Sequence, residues 1–332
     1  MRLLPPHDGF SQPRPPRWRS VFLLSLVTAG YLAVLVYVDR DTHALEQLTA
    51  LGGPLLACTA LVLASFALRY GRWHGALRRQ GHPVARWRGL RAYLAGFAFT
   101  ASPGKAGELL RIRYFADMGV PPRAVLGTFI HERSQDLLIL TVLGMSAATL
   151  VPALGAVLGV VLALLMLVIV TSCNRWLRTR LLGLASVIPG APLKRLLTFL
   201  VDGLITAGPL WKPNAALPGL AWGTMAWLLT AVAFAMLCAA VGLDLDWHQA
   251  LGIYPIAMLA GAVSFIPGGV GTTEAAIVLM LTTTGASLDA ALAVAVGIRL
   301  TSLWLAVVVG MLAMTNLELQ STRSPLPSSR PY

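Results

Sequence analysis

A chain of 332 residues that is 56% hydrophobic and only 12% charged falls well below the about 25% charged residues usual in soluble domains. That composition excludes a soluble enzyme and marks an integral membrane protein. The net charge of +12 would suggest nucleic acid in a soluble chain, but here the basic residues gather between apolar runs, so no nucleic-acid partner is expected.

Residues 1–18 are rich in Pro and Arg, have no apolar face and read as a disordered tail. The charge-free run 21–38 ends in "VYVDRD" and not at a small-residue cleavage site, so it is read as a first span and not as a signal peptide. Further charge-free runs cover 51–68, 137–174 and 213–243, and a span needs roughly 20 apolar residues. The run 137–174 is too long for one span, and "VPALG" at 151–155 divides it into two helices joined by a tight turn. Residues 176–212 mix basic and apolar side chains and are expected along the membrane interface. Residues 316–332 read as a second tail. Cys58, Cys173 and Cys238 lie far apart in apolar runs and point to helix packing, not to a disulfide or metal site. Trp18, Trp73, Trp87 and Trp211 fit interfacial belts.

Residues 69–91 carry Arg69, Arg72, Arg78, Arg79, Arg86, Arg88 and Arg91 with no acid, whereas Asp39, Asp41 and Glu46 follow the first run. The positive-inside rule then places the basic segments and both termini in the cytoplasm. The assignments agree only if 90–118 and 250–285 each enter and leave the membrane on one side. The expected fold is therefore an all-α integral membrane protein of about six full transmembrane helices plus two oppositely oriented re-entrant helical hairpins. The membrane domain spans 19–315, and the setting is the plasma or inner membrane.

Both hairpins contain P-G-x-x-G: Pro103, Gly104 and Gly107 in one, Pro267, Gly268 and Gly271 in the other, with Gly269 added in the second. A glutamate follows each (Glu108, Glu274), then a glycine eleven positions on (Gly119, Gly285) and an arginine twenty-five positions on (Arg133, Arg299). The shared spacing indicates repeats over about 19–150 and 153–315 in opposite orientation, a transporter architecture. Non-helical backbone at membrane depth is tolerated where it lines a cavity or is buried in protein, and a half-helix starting near Glu274 offers amides to an anion.

"SPGKAGELLR", "HERSQDLL" and "IPGGVGTTEAA", followed by Arg299, resemble the membrane domain of the lysylphosphatidylglycerol synthase family over roughly residues 18 to 315. The resemblance implies a translocase for a lipid or lipid-linked headgroup. The bifunctional members carry a soluble aminoacyl-transferase domain after the membrane part. Here only "NLELQSTRSPLPSSRPY" follows, so the tRNA-dependent synthase activity is expected to be absent and no enzyme activity is expected; a membrane-embedded lipid headgroup transferase and a small-solute or ion transporter stay open as alternatives to the translocase.

Charges inside a bilayer cost at least about 2.5 kcal/mol each and therefore signal a role or a partner. Arg299 lies eleven residues into a helix starting near Leu288, roughly 16 Å along it. It is read either as an anchor for a lipid phosphate or as an ion-pair partner of Glu274. Glu132, Arg133 and Asp136 share one helix, with Arg133 in reach of Asp136, and Asp136 is read as a local pair. Lys105, Glu108 and Arg111 line the same cavity, although Arg111 and Arg113 also fit headgroup contact at the surface. The substrate-binding set is thus Lys105, Glu108, Arg111, Glu132, Arg133, Glu274 and Arg299. His131 has no second ligand at metal-binding spacing and reads as a packed residue. No cofactor and no metal are expected. The expected partner is a membrane lipid, with a second copy of the chain and a separate lipid-modifying enzyme also admitted.

Overall fold

Proline punctuates this chain, and the helices begin where it does. The computed structural model describes residues 51–323, apart from 149, 188 and 189. The expected first span at 21–38 and the tail at 1–18 lie outside them. Every regular element among the described residues is helical. Helix α1 covers Gly52–Arg79 and α2 Arg86–Ala95. A 3-10 turn at Gly96–Phe99, a second at Pro103–Leu110 and the short α3 (Arg111–Ala116) follow. Then come α4 (Pro122–Gly144), α5 (Pro152–Cys173), α6 (Arg175–Val187), α7 (Ala191–Ala207) and α8 (Pro213–Ala240). The last part holds α9 (Trp247–Val263), α10 (Thr272–Thr283), α11 (Leu288–Arg299) and α12 (Leu305–Arg323). A π-helical turn at Leu300–Trp304 joins α11 to α12. Proline opens α4, α5 and α8, where its missing N–H costs nothing.

Among the described residues, α1, α5, α8 and the stretch Leu288–Gln320 are long and apolar enough to cross a membrane. The protein is an all-α membrane protein. The run 137–174 is divided as expected, but the connection falls earlier than "VPALG": α4 ends at Gly144, a 3-10 turn occupies Met145–Ala147, and Pro152 begins the next helix. Residues 176–212 are mostly helical, and α7 leaves Leu193, Leu196 and Leu200 uncovered.

Helices α1 and α8 run side by side, and the Cys58 thiol donates to the Ala233 carbonyl across that seam at 3.1 Å. Gly223 makes the close approach workable, because a Cβ there would stand 2.5 Å from Arg72 Nη1. Cys238 is buried as well, but Cys173 is exposed at the end of α5. Helix α12 lies against the turn after α2, where Gly310 rests directly on the Ala98 backbone.

Two helical interruptions organise the interior. In the first, Gly104 and Lys105 both adopt left-handed backbone (φ 57°). In the second, Phe265 (φ 54°), Gly268, Gly269 and Gly271 do so. The two interruptions abut: a Cβ on Gly268 would lie 3.3 Å from Ala101 Cα. The fold brings the two interruptions together.

Candidate functional site

The interior beside the first interruption holds a continuous network of buried charges centred on α4. That helix places Glu132, Arg133 and Asp136 within about one turn of each other. Asp136 Oδ1 accepts from Arg72 Nη2 at 2.8 Å and from Trp227 Nε1 at 3.0 Å. Its Oδ2 lies 3.0 Å from Arg133 Nη2 and 3.5 Å from Arg69 Nη1. Glu132 Oε1 accepts from the Tyr93 hydroxyl at 2.7 Å and from Arg72 Nη2 at 3.1 Å. Its Oε2 is 3.3 Å from Arg133 Nη2 and 3.4 Å from Arg111 Nη1.

Helix α1, the stretch from α2 to α3 around the first interruption, and α8 supply the remainder. Arg111 Nη2 is 2.9 Å from Glu108 Oε2, and Arg111 Nε donates to the Tyr93 carbonyl at 3.0 Å. Thr100 Oγ1 donates to Glu108 Oε1 at 2.8 Å. The Arg111 guanidinium sits over the Tyr93 ring at 4.0 Å and the Trp73 ring at 5.0 Å, and Arg69 over Trp227 at 4.2 Å. Aromatic faces of this kind carry negative potential and help to hold a desolvated cation.

Burial gives the network its significance. Glu108, Arg111, Glu132 and Asp136 are all buried, and a buried charge left without a partner is severely costly. Counting Arg69, Arg72, Arg111 and Arg133 against Glu108, Glu132 and Asp136 gives four cations to three anions. Lys105, half-buried on the interruption and in electrostatic range of Arg133, Glu108, Arg69 and Asp136, raises this to five against three. Lys105 has no ion-pair partner among the described residues. Arg133 is the more open of the paired arginines on α4's face, with its side chain 18% accessible, and its Nε has no acceptor. Arg72 likewise has Nε and Nη1 unpartnered. The site therefore combines excess positive charge with spare N–H donors, which suits an incoming anion.

The second interruption is tied differently. Arg299 is buried, and its Nε donates to Glu274 Oε1 at 2.8 Å while its Nη2 donates to the Gly268 carbonyl. Glu274 Oε2 in turn accepts the amide of Gly271, the residue that caps the start of α10, at 2.8 Å. Tyr254, donating to Ser302 Oγ at 3.1 Å, lies in electrostatic range of Arg299 and Glu274 and also of Arg69.

Five of the residues expected from sequence, Lys105, Glu108, Arg111, Glu132 and Arg133, meet around α4. Glu274 and Arg299 form their own pair at the other interruption, and Pro103, Gly104, Gly107, Pro267, Gly268, Gly269 and Gly271 shape the two turns. Three expectations need correction. Arg69 and Arg72 are not loop charges: α1 runs on to Arg79, and the basic residues three apart share its buried face. Arg111 is fully buried and contacts no headgroup surface, whereas Arg113 is exposed and pairs with Glu318 at 3.1 Å. Trp73 is buried against Arg111 and belongs to no interfacial belt. Asp136 pairs with Arg133 as read, but it also joins Arg69, Arg72 and Trp227. Sequence reasoning missed Arg69, Arg72, Tyr93 and Trp227; the i, i+3 spacing of the two arginines was the available signal.

His131 packs edge-on against Trp211 with ring centres 4.8 Å apart. Among the described residues no group of three His, Cys, Asp or Glu side chains could hold a metal ion. No curated protein matches this chain. The family model of the lysylphosphatidylglycerol synthase TM region matches residues 21–310, which include both interruptions and every member of the network, and the chain belongs to that family.

Proposed function

We propose that this protein is a flippase that moves a polar, anionic lipid or lipid-linked headgroup between leaflets by alternating access. The observation that carries the reading is the buried network's excess of positive charge with unpartnered donors. A phosphate entering beside Lys105 and Arg133 would supply the missing negative charge, and a guanidinium holds phosphate oxygens in a two-pronged geometry. The interruptions are read as the tips of two re-entrant hairpins, one in each of two inverted repeats, so that exchange of access happens where the tips abut. The acyl or prenyl chains stay in the bilayer throughout. Arg299 stays locked to Glu274 in the present arrangement and is released to take the phosphate when access passes to the other side. The setting proposed is the plasma or inner membrane, with both termini in the cytoplasm, and the chain translocates without chemically altering the lipid.

The test is leaflet exchange of a fluorescent anionic phospholipid in proteoliposomes. Wild type should exceed protein-free vesicles. Arg133→Gln and Arg299→Ala should each lower the rate at least about tenfold, the order expected on losing a charge-assisted hydrogen bond. Exchange that survives both substitutions would sink the scheme, and a chemically modified headgroup in the extracted lipid would show an enzyme instead.

A further inference from the structure

A basic cavity lies outside the network. It has a volume of about 500 Å³ and opens where α1 ends and where α4 and α8 begin, which is within the size range of small-ligand sites. Arg79, Arg123 and Lys212 line it, together with His82, Gln80 and Leu210, and no carboxylate does. None of these three cations has an ion-pair partner among the described residues. Asp202, on α7, is in electrostatic range of Arg123 but does not line the cavity.

Two further features act in the same direction. Helices α4 and α8 both start at this cavity, each with proline at its first turn and no side chain capping its first amides. Each presents the positive end of a long helix dipole to the same space. Gln80 Nε2 donates to Thr128 Oγ1 at 2.7 Å, which ties the chain at the end of α1 to α4 beside the cavity. The cavity thus offers both cations and helix N-termini to an anion.

We infer that this cavity is a second ligand site, separate from the central network, that takes a phosphate ester. Gln80, just past the end of α1, is eight residues beyond Arg72, and along α4, Arg123 precedes Glu132 by nine, so the two sites stand roughly 12–14 Å apart. Thr206, near the end of α7, lines the cavity, and the uncovered leucines of that helix begin about 9 Å back along it at Leu200, so a lipid headgroup and a free phosphate ester are both sources of this chemistry.

The experiment titrates the full chain, purified in detergent, with glycerol 1-phosphate and separately with short-chain phosphatidylglycerol, using calorimetry. Arg123→Gln/Lys212→Gln should weaken binding roughly thirtyfold, given the worth of two basic residues near a phosphate. The charge-keeping variant Arg123→Lys/Lys212→Arg should retain it, and Arg88→Gln/Arg195→Gln, which remove two surface charges elsewhere, should change nothing. Binding of both probes supports a site for phosphate esters at large, and binding of the lipid alone supports a headgroup site. Equal weakening by the Arg88/Arg195 variant overturns the inference. So does binding that is lost in Arg133→Gln but untouched by Arg123→Gln/Lys212→Gln, because the central network would then be the one place of binding. Loss of transport in proteoliposomes tests the proposed function and leaves these titrations independent of it.

Discussion

Asp136 accepts or balances four cationic or N–H donors from three helices, and it shows how one side chain holds an interior together. Asp136→Ala would leave Arg69 buried without its acceptor and Arg72 with Glu132 alone. We expect a loss of about 3–5 kcal/mol, the range for breaking a buried pair by removing one partner, read as a large fall in thermal unfolding temperature in detergent. Lys105→Ala removes a cation with no ion-pair partner and should stay within about 0.5 kcal/mol of wild type, while lowering lipid exchange. A matching fall in stability for Lys105→Ala would show it to be structural. The sequence displays the chemistry of Glu132, Arg133 and Asp136, because three charges within five residues of an apolar helix cannot be bland. It conceals the partners. Arg72 and Trp227 are contributed by helices 60 and 91 positions away, and only folding joins them.

Helix boundaries decide which charges count as buried. A charge-free run ends at residue 68, yet α1 continues for three turns. Ending the span where the charges begin is what hides Arg69 and Arg72 from a reading by composition. The two interruptions, by contrast, are legible, because proline and paired glycines leave a backbone few helical options. Their abutment is not legible, since nothing local specifies which interruption faces which. Gly223 offers an element-level test. Gly223→Val would push a side chain into Arg72 and Ile139 Cδ1, wedge α8 from α1 and cost about 1–3 kcal/mol as overpacking. Gly52→Ala, where a Cβ meets nothing within 4 Å, should leave the unfolding temperature nearly unchanged. If the two variants unfold alike, the α1–α8 seam is not closely packed there.

At the scale of the molecule, the meeting of the interruptions permits a direct test of motion. Cβ atoms on Ala101 and Gly268 would be 3.4 Å apart, close to the about 3.5–4.5 Å found in disulfides. Ala101→Cys/Gly268→Cys should therefore cross-link on oxidation, and the cross-linked protein should lose lipid exchange and regain it on reduction. Full exchange in the oxidised state would mean that the tips never separate. The exposed position of Cys173 acquires a practical meaning here. Cys58 and Cys238 are enclosed, and no other cysteine occurs in the chain. Thiol reagents should accordingly mark the end of α5 and leave the α1–α8 seam untouched. The wild-type chain carries its own attachment point for a single fluorophore, and Cys173→Ser is the clean background on which any engineered pair should be built.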